Sequence, residues 1–238
     1  MTFPLTLLNI MPVTLPSAIV TVAGQQIELL PQRAAYWQAQ RTLLIADIHF
    51  GKAAAFRAQG VPVPHGTTAQ NLSALDGIAA QREVEHILFL GDFLHARAIQ
   101  GTATMQALVA WRSQRPGLRL TLVRGNHDRH AGDPPAALGM KIVNEPHRIG
   151  PFVFCHHPAV HVEAYVFAGH VHPVYRLAGR ADALRLPCFL IGSGCALLPS
   201  FGAFTGGYAV RPADGDRIFV AADDAVLEVP PSNRSTAL

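Results

Sequence analysis

TLLIADIH, residues 42–49, joins a run of apolar residues to two polar side chains. Three more mainly apolar runs, at residues 86–90, 118–123 and 165–168, are also followed by carboxylate, amide or imidazole groups. Short runs of this kind are typical of buried β-strands. Because the ends of neighbouring strands in an α/β sheet form the crevice where ligands bind, the pattern predicts that these polar groups converge at one sheet edge.

The polar residues after the four runs all offer oxygen or nitrogen atoms that bind metal ions: Asp47, His49, Asp92, Asn126, His170 and His172. Residues two apart on an extended chain point to the same side, so one metal ion could bind both Asp47 and His49. His170 and His172 repeat this spacing. Ligands of these types suit Mn²⁺, Fe or Zn²⁺. A glycine precedes three of the ligand positions, which indicates a crowded site.

Five motifs carry a resemblance to a known family. They are Asp47-Ile48-His49, Gly91-Asp92, Gly125-Asn126-His127-Asp128, His156-His157 and Gly169-His170-Val171-His172. In order and approximate spacing they resemble the calcineurin-like metallophosphoesterases. The resemblance implies an α/β fold in the form of a four-layer sandwich, with two mixed β-sheets flanked by helices.

The resemblance also implies a metal-ligand set. Asp47, His49 and His172 would bind one divalent ion, Asn126, His156 and His170 would bind a second, and Asp92 would bridge them. Either His156 or His157 could be the ligand that follows residues 152–155, and the family pattern favours His156, the first of the two. His157 would then support a ligand or face the substrate.

The family mechanism gives two residues catalytic roles. A hydroxide that bridges the metal ions would attack phosphorus in line, while His127 contacts a phosphate oxygen and assists the leaving oxygen. Asp128 would orient His127. His95 and His130 lie close to the motifs, and the sequence assigns them no role.

Five longer segments resemble a narrower group, the bacterial ligase-associated DNA damage response metallophosphoesterases. These segments are GKAAAFR at 51–57, VPVPHGTT at 61–68, GDFLHAR at 91–97, VRGNHDRH at 123–130 and FGAFTGG at 201–207. The resemblance implies a Mn²⁺-favouring DNA endonuclease linked to DNA repair, with single-stranded DNA as substrate. By family analogy its partners would be a repair ligase and a helicase, and the protein would form a homodimer.

Basic residues flank the ligand motifs, where they could bind phosphates on either side of the scissile one. They are Lys52, Arg57, Arg97, Arg124 and Arg129, and His157 is a further candidate for substrate contact. The alternative is that they are ordinary solvated loop charges. Two other functions also compete with the nuclease: a phosphoesterase that acts on a small nucleotide or metabolite, and a non-catalytic interaction scaffold.

The composition is that of a globular domain, since 50% of the 238 residues are hydrophobic and only 15% are charged. Residues 1–238 are interpreted as a single domain, with an extended lead-in at 1–17 and a frayed tail at 230–238. Three scattered cysteines and no apolar run of transmembrane length favour a cytoplasmic protein without membrane contact.

The pattern along the chain predicts individual elements. We expect strands at 18–22 and 26–30, a helix at 68–82 that begins with a threonine cap, and a helix at 102–113. Alternation of strand and helix between 41 and 123 predicts parallel pairing, and the short strands between 139 and 229 predict a second, more antiparallel sheet.

Overall fold

The structure, a computed structural model, describes residues 16–96, 102–178 and 183–231. The expected lead-in at 1–17 and tail at 230–238 lie almost entirely outside the described residues, and so does Arg97, one of the expected phosphate contacts. No described helix is long and apolar enough to cross a membrane.

The described residues form sixteen strands, four α-helices and two short 3₁₀ turns. The strands are β1 (Ala18–Val22), β2 (Gln25–Leu30), β3 (Ala34–Trp37), β4 (Thr42–Ile45), β5 (His86–Leu90), β6 (Arg119–Val123), β7 (Lys141–Val143), β8 (His147–Ile149), β9 (Phe152–Cys155), β10 (Tyr165–Ala168), β11 (Pro173–Ala178), β12 (Ala183–Ile191), β13 (Cys195–Leu197), β14 (Tyr208–Ala209), β15 (Arg217–Ala221) and β16 (Val226–Glu228). The helices are α1 (Lys52–Ala58), α2 (Thr67–Gln81), α3 (Ala103–Ser113) and α4 (Asn126–Ala131).

The first sheet contains strands β1 to β7 in sequence order. The pairs from β1 to β4 are antiparallel, whereas β4, β5, β6 and β7 pair in parallel. Helices α1 and α2 connect β4 to β5 and α3 connects β5 to β6, as parallel neighbours require crossover connections. The carboxyl ends of β4, β5 and β6 therefore lie at one edge.

The second sheet has the strand order β14-β11-β12-β13-β10-β9-β8, with β15 and β16 attached through β12. Strands β9, β10 and β13 pair in parallel, while most other pairs are antiparallel. The prediction of two mixed sheets in an α/β sandwich is thus confirmed.

Alternation of side chains along each strand sets the layers. On β4, Leu44 faces the second sheet and joins a core with Phe154, whereas Leu43 faces outward and packs with Leu75 of α2 and Leu108 of α3. The described helical layer therefore covers the outer face of the first sheet.

The predicted start of helix α2 is wrong in one respect. Its N-cap is Gly66, in the left-handed region with φ 82°, and no side-chain oxygen caps the helix. Thr67 and Thr68 lie inside the first turn. Strand β3 and the short helices α1 and α4 were not predicted, whereas α3 begins within one residue of the expected position.

Candidate metal centre

The polar residues that follow the strands meet where the two sheets face each other. Asp47 follows β4, Asp92 follows β5 and Asn126 follows β6 of the first sheet, while the second sheet brings His156 after β9 and His170 after β10. Parallel pairing within each sheet places these ends side by side. The predicted convergence is present.

The backbone at this centre is not extended, and the prediction that Asp47 and His49 lie on an extended chain is wrong. Their φ angles are 52° and 47°, and His170 and His172 have φ 67° and 50°. Asp92 is also left-handed, with φ 51°. Such angles are uncommon for residues with a Cβ and are concentrated at functional sites. The left-handed backbone of these residues, and not the alternation of a β-strand, therefore sets the direction of each pair of ligand side chains.

Hydrogen bonds from neighbouring segments hold these turns. The backbone N–H of His49 donates to the carbonyl of Asp92 at 2.9 Å, which continues the β4–β5 pairing past the strand ends. The hydroxyl of Ser200 donates to the carbonyl of Asp47 at 2.7 Å. The backbone N–H of His170 donates to Asp47 Oδ2 at 2.8 Å, which ties the ends of the two sheets together.

One group of donor atoms contains Asp47, His49 and His172, whose candidate ligand atoms all lie within 4.8 Å of one another. His172 Nε2 is 3.4 Å from His49 Nε2 and 3.4 Å from Asp47 Oδ1. These are the three residues that the resemblance assigns to one ion.

A second group surrounds His156. Its Nε2 is 2.8 Å from Asn126 Oδ1 and 3.0 Å from His170 Nδ1. Asp92 lies between the groups, with Oδ1 3.4 Å from His156 Nε2 and Oδ2 3.6 Å from His49 Nε2. The two carboxylate oxygens of Asp92 therefore face different groups, as a bridging ligand requires.

The chemistry of the donors fits divalent cations. Asp47 Oδ1 is buried without a hydrogen-bond partner among the described residues, a costly state that a cation at the centre would compensate. Burial lowers the pKa of His49 to about 2, so that imidazole is neutral at physiological pH, the form that binds metal. These donor groups can bind divalent metal ions.

Close packing explains two of the glycines. A Cβ on Gly91, where φ is 80°, would overlap the imidazole of His156. A Cβ on Gly125 would overlap the carboxylate of Asp92. The interpretation of these glycines as signs of a crowded site is confirmed.

His156 and His157 have different environments. His156 is fully buried and faces the second group, whereas the side chain of His157 is 43% exposed. His157 Nδ1 lies 2.7 Å from Glu145 Oε1, and the backbone N–H groups of both histidines donate to Glu145 Oε2 at 2.9 Å. This geometry supports His156 as the ligand, while the ring of His157, centred 4.5 Å from that of His170, borders the site.

His127 lies at the open side of the first group. Its side chain is 38% exposed, and its ring centroid is 5.1 Å from that of His49. Nδ1 is 3.2 Å from the carbonyl oxygen of His95, which can only accept, so Nδ1 carries a proton in this arrangement. Nε2 is left as the reactive nitrogen.

Asp128 does not contact the imidazole of His127 in the described structure, contrary to the expected orienting role. Its carboxylate accepts hydrogen bonds from the backbone N–H groups of Gly125 and Phe93 at 2.9 Å and of Leu94 at 3.3 Å. Asp128 therefore ties the start of α4, which carries His127, to the segment that follows Asp92.

His95 takes the expected place of Asp128 beside His127. Their rings stack with centroids 5.2 Å apart, and His95, His49 and His127 form a third group of donor atoms within 4.8 Å. Burial lowers the pKa of His95 to about 4. The only sequence signal was its position three residues after Asp92. His130, by contrast, is exposed and outside the donor groups.

Residues 40–161 match the sequence model of the family described as calcineurin-like phosphoesterase. The chain belongs to this family. It is therefore a metal-dependent hydrolase of phosphoesters, and the family uses divalent metal ions.

The solved structures similar to this phosphoesterase include that of Pseudomonas putida nuclease MPE. The two chains are 43% identical, the match covers 90% of this chain and 100% of that chain, and the TM-score is 0.80. A protein of unknown function from Aquifex aeolicus matches at 18% identity over 55% of this chain and 78% of its own, with a TM-score of 0.38. No curated protein matches significantly.

The basic residues around the centre of the phosphoesterase are not equivalent. Arg124 is held by both oxygens of Asp133, at 2.7 and 2.6 Å, and Arg129 lies 4.0 Å from Glu145. Lys52 borders the same small cavity as His49 and has no ion pair within 4 Å among the described residues. Its charge interacts with the carboxylates of Asp47 and Asp92. Arg57, near the end of α1, donates to the carbonyl oxygen of Pro64 at 2.7 Å.

Proposed function

We propose that this phosphoesterase is a DNA endonuclease that uses two divalent ions, with Mn²⁺ preferred over Fe and Zn²⁺. The observation that carries the proposal is the pair of donor groups on either side of Asp92, whose oxygens lie 3.4 and 3.6 Å from nitrogens of His156 and His49. The 43% identity to a protein described as a nuclease supports a nucleic-acid substrate.

In this proposal Asp47, His49 and His172 hold one ion, Asn126, His156 and His170 hold the other, and Asp92 is shared. The bound ions would supply an activated water and neutralise charge on the phosphate. The nearly complete burial of Asp47 and Asp92 keeps bulk water from competing for their oxygens.

His127 would act as the general acid. The proton on its Nδ1 is directed to the carbonyl of His95, so an imidazolium form would carry its second proton on Nε2, which lies 3.9 Å from Asp92 Oδ2 at the metal centre. When the hydroxide oxygen bonds to phosphorus and the bond to the leaving oxygen breaks, Nε2 gives its proton to the leaving oxygen. Asp128 supports this step by holding α4 against the segment after β5, and Lys52 would stabilise a phosphate oxygen.

The substrate contacts at Arg57, Arg129 and His157 are part of the proposal, and Arg97 remains a candidate outside the described residues. The narrower resemblance supports single-stranded DNA as substrate, a cytoplasmic role in DNA repair beside a ligase and a helicase, and a homodimer. Basic residues beside the metal centre, among them Lys52 next to His49, favour a polyanionic substrate.

The competing function is hydrolysis of a small nucleotide or metabolite, because the same metal centre serves many substrates. Kinetics with Mn²⁺-loaded protein would separate the two. We expect kcat/KM to be much higher for single-stranded DNA than for a cyclic mononucleotide, a dinucleotide or bis(p-nitrophenyl) phosphate. A higher value for any of the small substrates would refute the nuclease.

A further inference from the structure

A cavity of about 220 Å³ lies between helices α1, α2 and α3, outside the metal centre. Arg57 of α1, the first turn of α2 and Thr104 of α3 line it. The other lining residues are glycine, alanine and threonine, and no described Asp or Glu borders the cavity. The charge of its wall is therefore positive.

The first turn of α2 supplies unpaired donors to this cavity. The first backbone N–H of the helix with a partner is that of Gln70, which donates to Gly66 at 2.9 Å. The N–H groups of Thr67, Thr68 and Ala69 make no hydrogen bond among the described residues, and no side chain caps the helix. Free N–H groups at the start of a helix of 15 residues carry partial positive charge and bind anions.

A second observation comes from α3. Thr104, in its first turn, is only 9% exposed and lines the cavity, yet its hydroxyl has no hydrogen-bond partner among the described residues. Helix α3 has no acidic residue in its first turn and no side-chain cap. The Thr104 hydroxyl is therefore free to donate to a ligand in the cavity, and the positive charge of the wall favours an anion.

The cavity adjoins the metal centre. Thr67 and Thr68 also line the smaller cavity that His49 and Lys52 border, so one helical turn separates the two spaces. The volume of about 220 Å³ is several times the roughly 30 Å³ that one water molecule occupies in the liquid. A phosphate group and part of its sugar can enter.

We propose that this cavity binds a backbone phosphate of the nucleic-acid strand next to the scissile phosphodiester, through Arg57, the N-terminal N–H groups of α2 and the hydroxyl of Thr104. This inference rests on the proposed nuclease function and specifies its substrate track. Such a subsite would favour a polymer, since a small phosphodiester would occupy only the metal centre and leave the cavity empty.

Two variants test the subsite. Ala69→Asp puts a carboxylate in the first turn of α2, where it suits the helix dipole but repels phosphate. Arg57→Gln removes the guanidinium. We expect each to weaken binding of a labelled single-stranded oligonucleotide, measured by fluorescence anisotropy in EDTA, by about 10-fold or more. For Arg57→Gln, the slope of log affinity against log salt should fall by about 0.7.

Matched variants control for charge alone. Arg148→Gln removes an exposed arginine from β8, and Ala80→Asp adds a carboxylate at the far end of α2. Both should bind the oligonucleotide like the wild type. Metal content should stay unchanged in all four variants, because the subsite lies outside the metal centre. For the same reason, kcat/KM for bis(p-nitrophenyl) phosphate should stay unchanged in Ala69→Asp and in both controls.

The outcomes separate the subsite from the proposed function. Wild-type affinity of Ala69→Asp and Arg57→Gln would overturn the subsite, and so would a parallel loss of activity of Ala69→Asp on bis(p-nitrophenyl) phosphate. If the wild type binds the oligonucleotide through the cavity but never cuts DNA, the nuclease function fails while the subsite stands. If it neither binds nor cuts, both fail.

Discussion

At the scale of single residues, the centre depends on backbone conformations that the sequence does not display. Asp47, His49, Asp92, His170 and His172 all have left-handed φ angles. The D-x-H and H-x-H spacings suggested extended chain, yet the β4 strand ends at Ile45, before the first ligand. The sequence could predict candidate ligands because their side-chain types are those that bind metal ions. It could not predict the backbone conformation that directs them, because that conformation depends on contacts from distant segments such as Ser200.

Replacement of His127 should separate catalysis from metal binding. His127→Ala removes the proposed general acid and leaves the donor groups around Asp92 intact, so we expect turnover of DNA to fall by about 100-fold or more. Metal content, measured by inductively coupled plasma mass spectrometry, should equal that of the wild type. The control His130→Ala, an exposed histidine on the same helix, should retain full activity. Loss of a metal ion from His127→Ala would instead identify His127 as a ligand.

The glycine before Asp92 should tolerate no side chain. In Gly91→Ala the new Cβ would overlap His156, and φ is 80°, so we expect the free energy of unfolding to fall by at least about 2 kcal/mol and one metal ion to be lost. Gly77→Ala is the matched control, because Gly77 lies inside α2 with open space around its Cα. It should raise the free energy of unfolding by about 0.5–1 kcal/mol. Equal effects in urea unfolding would contradict this account of Gly91.

At the scale of elements, long periodic segments were predictable and short or capped ones were not. The spacing of apolar residues predicted helix α2. The prediction of a threonine N-cap was wrong, because Gly66, with a left-handed φ angle, is the N-cap residue. Helices α1 and α4 have seven and six residues, too few for periodicity to stand out. Helix α1 begins three residues after His49, and α4 begins at Asn126 itself, so the position of both helices is tied to the metal centre.

The end of α2 is attached to the first sheet by a largely buried ion pair. Arg82 donates to both oxygens of Glu28 on β2, at 2.9 and 2.7 Å, and the two side chains are 8% and 13% exposed. Glu28→Gln should lower the free energy of unfolding by about 2–3 kcal/mol, since it leaves a buried guanidinium without its counterion.

The exposed pair Arg217–Glu228 provides the comparison for Glu28. Both side chains are 44% exposed, so Glu228→Gln should cost under about 1 kcal/mol in the same urea unfolding experiment. A cost for Glu28→Gln as small as that for Glu228→Gln would show that the Arg82 pair does not anchor the helix.

At the scale of the whole molecule, the centre joins the two sheets. Asp47 and Asp92 come from the first sheet, and His156, His170 and His172 follow strands of the second. Hydrogen bonds join the two sheets here, from the backbone N–H of His170 to Asp47 and from His156 Nδ1 to the carbonyl of Leu90. The ligand motifs and the alternation of strands and helices predicted which strands end at this edge. The cavity among α1, α2 and α3 was not, because its donors are backbone N–H groups and carry no residue signature.

Metal binding should therefore stabilise the whole fold. An ion that binds only the folded protein raises its stability by mass action, and here it also neutralises buried carboxylates shared between sheets. We expect Tm to rise when Mn²⁺ is added to metal-free protein and to fall with EDTA. In Asp92→Asn, which keeps the shape but not the charge of the shared ligand, Mn²⁺ should shift Tm far less. An equal shift in both proteins would mean that the ion binds elsewhere.

The most direct test of the central claim is cleavage of covalently closed single-stranded circular DNA by the Mn²⁺-loaded protein, with Asp92→Asn as the control. A circle has no end for an exonuclease, so its linearisation reports internal phosphodiester cleavage. The account predicts that the wild type opens the circle and that Asp92→Asn does not. An intact circle with fully metal-loaded wild type, or equal cutting by both proteins, would contradict a DNA endonuclease built around Asp92.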